Sequence, residues 1–189
     1  MDDFFNLADT LEALANGQVI LYPTDTVWGI GCDATNSAAV ARVLEFKQRP
    51  AGQGLIVLVD SLDMLKRHID YLHPRLQTLL DIHVRPLTMI YPHVVGLDAG
   101  VLASDGSAGI RVTKDSYCKA LIGSFGKPIV STSANMPGQP HPTHYGAITS
   151  DVLQSVDHVV RHRQRDTEVR EPSVIARWNE QNEIEPIRH

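Results

Sequence analysis

The spacing of apolar residues predicts helices that alternate irregularly with strands. Leu7, Leu11 and Leu14 recur at helical spacing and stop at the Asn16-Gly17 pair, which is typical of a helix C-terminus. The predicted helices cover residues 5–15, 37–47, 61–69, 74–80, 115–122 and 145–154, the last with a break near residues 149–150. Polar side chains at three of the starts are candidate N-caps: Asn36, Ser61, and either Asp115 or Thr113.

Short runs of branched and aromatic residues predict the strands. They cover residues 19–22, 27–32, 55–59, 87–91, 108–113, 128–131, 156–160, 172–177 and 184–187. The run at residues 55–59 is too short to span a membrane and is typical of a buried strand. Because hairpin-like stretches interrupt the alternation, the pattern predicts an α/β or α+β fold with a mixed sheet.

The densest polar group within an apolar stretch lies between the first two predicted strands. Pro23 has no backbone donor and suits a strand end. Thr24, Asp25 and Thr26 follow it directly, before an apolar segment that contains two glycines. The pattern predicts a strand, a polar kink and a second strand. The kink either points its side chains into a cleft or uses them to satisfy local backbone groups.

Composition narrows the class of protein. A length of 189 residues predicts a single domain over residues 1–189. A net charge of -5 argues against nucleic-acid binding by bulk electrostatics, although a local basic patch stays open. Cys32 and Cys118 form no CxxC pair, which predicts reduced thiols in the core. The acidic N-terminus and the lack of a long apolar run predict a cytoplasmic protein with no membrane partner.

Several well-known catalytic motifs are absent from the sequence. It contains no P-loop, no complete GxGxxG and no G-x-S-x-G nucleophile elbow. His141 with His144, and His158 with His162, have spacings that can place two metal ligands on one helix face. These histidines fall in a Pro-rich loop and in a predicted strand, where that spacing does not converge. We therefore predict no metal site built from protein ligands.

The remaining candidates are separate cations and hydroxyls. Lys47 and Arg49 are expected to be exposed at the end of a helix, as an anion clamp or as a helix-dipole partner with a solvated arginine. Arg111 is a lone charge in an apolar strand, so it needs either a buried carboxylate or a ligand anion. The segment at residues 131–135 follows a strand, and its hydroxyls and amide suit either phosphate and sugar or an ordinary turn.

Six segments, in order from about residue 17 to the C-terminus, resemble the signature of the YrdC-type family of L-threonylcarbamoyladenylate synthases. Each segment alone is modestly specific, and their common order is very specific. The segments are Tyr22-Pro23-Thr24-Asp25-Thr26-Val27-Trp28-Gly29-Ile30-Gly31-Cys32-Asp33-Ala34, Lys47-Gln48-Arg49-Pro50, Pro86-Leu87-Thr88, Gly109-Ile110-Arg111-Val112, Lys127-Pro128-Ile129-Val130-Ser131-Thr132-Ser133-Ala134-Asn135 and Pro172-Ser173-Val174-Ile175.

The resemblance implies a fold and a reaction. The implied fold is a twisted, open mixed sheet with flanking helices and a large basic cavity on one face, in the short, single-domain type. The implied reaction condenses L-threonine, bicarbonate or CO2, and ATP to threonylcarbamoyl-AMP and pyrophosphate. The product serves threonylcarbamoyladenosine modification of tRNA through a downstream tRNA-modifying transferase complex. Mg²⁺ is expected with ATP, held by phosphates and water, and contact with tRNA or double-stranded RNA stays open.

The resemblance and the side-chain chemistry together assign roles to the candidate residues. The cations that offset the repulsion between the two reacting anions, and are therefore catalytic, are Lys47 and Arg49. The residues expected to bind threonine are Thr24, Thr26, Arg111 and Ser173. The residues expected to bind ATP, besides Lys47 and Arg49, are Thr88, Ser131, Ser133, Asn135 and Arg188. The sequence identifies no general base.

Two alternatives to this enzyme are considered. A module that binds RNA or matures ribosomes without turnover would use the basic run at residues 161–165, but that run is also typical of a solvated loop. The acidic net charge and the scarcity of aromatic residues for base stacking count against it. The other alternative is a paralogue with the same fold and a different substrate for carbamoylation.

Overall fold

A nine-stranded sheet with helices around it forms the part of the chain that the computed structural model describes, residues 5–50, 52–179 and 183–188. The helices are α1 (Ala8–Ala15), α2 (Ser37–Phe46), α3 (Leu62–Lys66), α4 (Pro74–Ile82), α5 (Ser116–Phe125) and α6 (Ser150–Ser155), with 3-10 turns at Ala99–Val101 and Tyr145–Ala147. The strands are β1 (Ile20–Tyr22), β2 (Gly29–Gly31), β3 (Ile56–Val59), β4 (Leu87–Tyr91), β5 (Ala108–Val112), β6 (Ile129–Ser133), β7 (His158–Val159), β8 (Val174–Trp178) and β9 (Ile184–Arg188).

The strands lie in the order β7-β1-β2-β6-β3-β5-β4-β8-β9. The pairs β1–β7, β3–β5 and β4–β8 are parallel. The other neighbours are antiparallel. This arrangement confirms the predicted mixed sheet. It also places β6, β3 and β5 side by side at the centre, so that residues far apart in sequence share one surface.

Side-chain caps fix the starts of three helices. The Asn36 side chain accepts from the Ala39 N–H at 3.1 Å, Ser61 accepts from Met64, and the Asp115 carboxylate accepts from the Cys118 N–H at 2.8 Å. These contacts confirm the three predicted N-caps. None of the helices in the described ranges is long and apolar enough to cross a membrane.

Several predicted boundaries were wrong, among them the start of the first helix, which is Ala8 and not residue 5, and tertiary pairing explains two others. The helix after Ser61 ends at Lys66 rather than near residue 69, because Ile69 leaves it to form a bridge with Val94. The strand that begins after Pro128 continues through Ser133 instead of ending at residue 131. Its last two residues extend because they pair with β2, Thr132 opposite Ile30 and Ser133 opposite Gly29.

The core contains both cysteines as free, buried thiols, as predicted. Loss of hydration on burial raises the pKa of the Cys32 thiol to about 12 and raises that of Cys118 well above its ordinary value. The Cys118 thiol donates to the Pro23 carbonyl at 3.3 Å, which attaches α5 to the predicted kink. Both thiols therefore act as core groups that resist ionisation.

We predict that Gly31→Ala destabilises the protein. A Cβ at this position would lie 2.3 Å from the Val130 carbonyl oxygen and 2.7 Å from Tyr22 Cε1, so the central strands would have to separate. Overpacking of this kind typically costs about 1–3 kcal/mol. Thermal unfolding measures the effect. The control is Gly123→Ala in α5, where the added methyl meets only a movable Asp60 carboxylate oxygen at 3.1 Å. Equal melting temperatures for Gly31→Ala and wild type would contradict the close approach.

Candidate active site

An open cavity of about 130 Å³ lies on the sheet and collects most of the residues singled out from the sequence. Its lining includes two cations, Arg49 and Arg111, and no acidic residue among those that the structure describes. The sequence-predicted residues that line it are Thr26, Arg49, Arg111, Ser131, Ser133 and Ser173. Four other predicted residues lie behind the lining and are hydrogen-bonded to residues that line the cavity: Thr24, Lys47, Thr88 and Asn135.

The polar kink between β1 and β2 is held by its own hydroxyls. Thr24 Oγ1 donates to the Val27 carbonyl at 2.8 Å and accepts from the Thr26 N–H at 3.0 Å. It also lies 2.9 Å from Thr26 Oγ1. Thr24 is thus committed to shaping the turn. Thr26 is also buried and its Oγ1 contacts Thr24 and Arg111, but of the two threonines predicted to contact substrate it is the one that lines the cavity.

A buried ion pair places Arg111 at the floor of the cavity. The Arg111 side chain is only 3% exposed, and its Nη2 lies 3.2 Å from Asp25 Oδ1. The same Nη2 donates to Thr26 Oγ1 at 3.3 Å. Asp25 is fixed in turn through its Oδ2, which accepts from Thr113 Oγ1 and from the Lys114 N–H. The sequence predicted that Arg111 needs either a buried carboxylate or a ligand anion as its partner. The structure shows that the Asp25 carboxylate is that partner.

Arg111 keeps donor capacity beyond this pair. Its Nε is buried and, within the described part of the chain, has no hydrogen-bond partner. A buried donor without a partner is costly, typically about 1–3 kcal/mol. Arg111 is nevertheless one of the lining residues, so its positive charge lies next to any small anion bound in the cavity.

Lys47 is buried, which corrects the expectation of an exposed charge at a helix end. The residue follows α2 directly and is 7% exposed. Its Nζ donates to the carbonyl oxygens of Ser133 and Asn135 at 3.0 and 2.7 Å, and to Asn135 Oδ1 at 3.1 Å. It is buried because its side chain reaches the end of β6, where these oxygens converge. Loss of hydration, and secondarily the charge of Arg49, lower the pKa of Lys47 to about 8.

Arg49, which also follows α2, is exposed. Gln48 adopts a positive φ of 48°, which turns the chain sharply after Lys47. The turn sends Arg49 to the cavity, where its Nη1 donates to the Gly54 carbonyl at 3.1 Å. Lys47 and Arg49, two residues apart, therefore have different environments: one braces the end of β6, and the other offers an exposed charge at the cavity rim.

The end of β6 forms a hydrogen-bonded turn around Asn135. Ser133 Oγ donates to Asn135 Oδ1 at 2.5 Å. The Asn135 amide nitrogen donates to the carbonyl oxygens of Met136 and Gln139 at 3.1 and 2.6 Å. Asn135 thus fixes the loop that follows, while Ser131 and Ser133 remain on the cavity lining.

The C-terminal side of the cavity comes from the start of β8. Ser173 lines the cavity, and its Oγ lies 2.8 Å from Thr88 Oγ1. Thr88 itself is fully buried behind Ser173 and does not line the cavity. Arg188 is in β9, and its backbone pairs with Ile175 of β8. The Arg188 side chain lies outside the described part of the chain.

Sequence reasoning missed some lining residues. Gly29 lies on the lining, where an added Cβ would come within 3.3 Å of Ser131 Oγ, so the glycine keeps that surface open. Pro172 also lines the cavity, although only its neighbour Ser173 was predicted. His141 was considered only as a metal ligand, yet it lies on the same lining. No signal in the sequence shows where the loop that carries it will go.

Comparison with known proteins gives relatives with the same fold. The family model Sua5/YciO/YrdC, described as telomere recombination, matches residues 12–189. The threonylcarbamoyl-AMP synthase of Xanthomonas axonopodis pv. citri (strain 306) is 38% identical over 163 residues, which cover 85% of this chain and 87% of the relative.

Solved structures share the fold at lower identity. Sua5 of P. abyssi complexed with L-threonine superimposes with a TM-score of 0.78 and 22% identity, covering 90% of this chain and 50% of that one. YciO of E. coli gives a TM-score of 0.80 and 20% identity, covering 97% of this chain and 90% of that one. The family model matches nearly the whole chain, and the chain therefore belongs to the Sua5/YciO/YrdC family.

Proposed function

We propose that the protein is an L-threonylcarbamoyladenylate synthase, an enzyme of the nucleotidyltransferase type. It condenses L-threonine, bicarbonate or CO2, and ATP to threonylcarbamoyl-AMP and releases pyrophosphate. The observation that carries the proposal is one acid-free cavity in which two arginines and several hydroxyls converge. Its curated relatives, named threonylcarbamoyl-AMP synthase at 36–38% identity, support the same activity.

The threonine subsite lies at Arg111 on the cavity floor. Arg111 takes the carboxylate through the part of its guanidinium that lies on the cavity lining, because charged donors of this kind bind carboxylates strongly. Thr26 and Ser173 lie on the same lining and supply hydroxyls for the polar groups of threonine. Support comes from P. abyssi Sua5, which shares the fold and has been solved with L-threonine.

The ATP subsite lies along the end of β6 and the segment that directly follows α2. Arg49 offers its charge to the triphosphate, while Ser131 and Ser133 offer hydroxyls to ribose and phosphate. Lys47 and Asn135 hold this surface from behind, and Lys47 adds a second positive charge beneath it. The lining has no carboxylate for a metal, so Mg²⁺ fits this site as an ion held by ATP phosphates and water.

The mechanism follows from bringing two anions together. A carboxylate oxygen of the carbamate formed on threonine attacks the α-phosphorus of ATP, and the bond to pyrophosphate breaks. Repulsion between the anions is offset by Arg49, Lys47 and Arg111, which were positioned before the substrates bind. Holding both substrates in one cavity removes the entropy cost of their encounter. The product then passes to a tRNA-modifying transferase complex in the cytoplasm.

The structure weakens the support for an RNA-binding module without turnover. Arg163, in the middle of the basic run, is not a free charge: it pairs with the Asp115 carboxylate and donates to the Thr24 carbonyl at 3.2 Å. It therefore attaches the loop to the threonine side of the cavity. Because Arg163 of this basic run is engaged in contacts within the protein, we do not propose that the run binds RNA without turnover.

A pyrophosphate-release assay tests the proposed function. Purified protein with Mg-ATP should release pyrophosphate only when both L-threonine and bicarbonate are present. Replacement of threonine by other amino acids separates this enzyme from a paralogue with a different carbamoylation substrate. Release that stays at background with the full substrate set would contradict the proposal.

We predict that Lys47→Met and Arg49→Met separate stability from activity. Lys47→Met removes the donor of the Asn135 carbonyl oxygen and one of two donors at the Ser133 carbonyl and at Asn135 Oδ1, which still accept from the Asn135 N–H and from Ser133 Oγ. The loss should lower the free energy of unfolding by about 1–3 kcal/mol. Arg49→Met removes an exposed charge and should change stability by less than about 0.5 kcal/mol. Both should lose at least about tenfold in turnover, since a charged hydrogen bond contributes about 1.5–3 kcal/mol.

Chemical denaturation and the pyrophosphate assay measure the two effects. If the two variants were equally stable, Lys47 would not brace the end of β6. Wild-type turnover in Arg49→Met would remove that residue from the ATP subsite.

We predict that Arg111→Lys raises the KM for threonine by about tenfold to a hundredfold, because a lysine keeps the charge beside Asp25 but loses the two-donor fork. The KM for ATP should change by less than about threefold. Arg42→Lys is the control for the change of residue type, since Arg42 also pairs with an aspartate, Asp157, but does so at an exposed position away from the cavity. A larger effect on ATP than on threonine would mean that Arg111 binds a different anion.

A further inference from the structure

The proposed reaction, on which this inference rests, needs a proton acceptor. The threonine ammonium has no lone pair, so it must lose a proton before its nitrogen can attack carbon. From bicarbonate the balance is R–NH3⁺ + HCO3⁻ → R–NH–COO⁻ + H2O + H⁺. A C–N bond forms, a C–O bond of bicarbonate breaks, and one proton must leave the cavity.

Among the described residues that line the cavity, His141 is the one whose side-chain type exchanges a proton near neutral pH. The two lining arginines stay protonated. The remaining lining residues are hydroxyl-bearing or apolar. Lys47 lies behind Ser133, and three oxygens already accept from its ammonium. The lining therefore offers one side chain suited to take the proton from the substrate amine.

The fold fixes the loop that carries His141 on both sides. Before it, the Asn135 side chain donates to the Gln139 carbonyl at 2.6 Å and so ties the loop to the end of β6. After it, Pro142 is buried, and Tyr145 packs against Trp28 with ring centroids 5.0 Å apart. His141 itself is exposed between these anchors. An exposed imidazole on the cavity lining is next to the space that the substrates would fill and has an open route to solvent for the proton.

We propose that His141 is a catalytic residue of this protein that accepts the proton of the threonine ammonium during carbamate formation. The electron pair freed on nitrogen makes the C–N bond, and the proton passes from the imidazole to bulk water. The other charged groups on the lining are Arg49 and Arg111, which hold the substrate anions in place. The role is distinct from that of Asn135, which acts only by holding the loop.

The test compares His141→Gln with His144→Gln across pH 6.5 to 9.5 in the threonine- and bicarbonate-dependent assay. His144 is in the same loop but does not line the cavity, so it is the matched control. General base catalysis typically contributes about 10²–10⁴-fold. His141→Gln should therefore lose about a hundredfold or more in kcat near pH 7, with little change in the KM for ATP. The loss should shrink as pH rises, because free threonine then carries less ammonium, and added imidazole should restore part of the activity.

Three results would overturn the proposal. One is undiminished kcat in His141→Gln. Another is a loss that is the same at every pH and is not restored by imidazole. A third is a loss that falls on the KM for ATP, which would make His141 a phosphate contact. Absence of product in the wild type would instead overturn the proposed function itself, so the two failures are distinguishable.

Discussion

The buried pair between Arg111 and Asp25 is the constraint on which the site depends. Burying a guanidinium on a central strand without a partner is costly, because the loss of hydration costs several kcal/mol. The partner comes from the connection between β1 and β2, which must therefore fold back over the end of β5. Thr113 Oγ1 and the Lys114 N–H donate to the same carboxylate, and these contacts fix the position of the connection relative to β5. The polar kink is thereby turned into a wall of the cavity.

The rest of the cavity has the same two-layer construction. Residues in the rear layer have their polar atoms occupied by other protein groups: Thr24, Lys47, Thr88 and Asn135. Residues in the front layer are hydroxyls and arginines that line the cavity. Rear-layer hydrogen bonds fix the rotamers of the front layer before any ligand arrives, which lowers the entropy cost of binding. The same division explains why Lys47 and Arg49, so close in sequence, contribute differently.

Much of the fold follows from local sequence. Asn36, Ser61 and Asp115 mark helix starts because their short side chains reach the first free N–H groups, a local effect. Strand ends and helix ends were less predictable: β6 runs on to Ser133 only because β2 pairs with it. The cavity-lining positions of Arg49, Arg111 and Ser133 agree with the segments that resemble the family.

Other features depend on contacts that no local pattern encodes. Arg111 donates to Thr26 across 85 residues of sequence and pairs with the neighbouring Asp25. The sequence showed that Arg111 needs a partner, but it did not show which residue that partner is. Lys47 was expected at the surface, because a lysine at a helix end is usually solvated, but its ammonium is buried by long-range contacts with Ser133 and Asn135. His141 reaches the cavity through a loop shaped by Asn135, and such a loop path has no periodic signal.

The central claim is that Arg111 and its surroundings recognise the carboxylate of threonine. Calorimetric titration of the wild-type protein with L-threonine and with L-threoninol, which has a hydroxymethyl group in place of the carboxylate, tests it most directly. L-threonine should bind at least about tenfold more tightly, since the charged hydrogen bonds to Arg111 are absent from the alcohol. Equal affinity for the two ligands would contradict the assignment of Arg111 and, with it, the position of the threonine subsite.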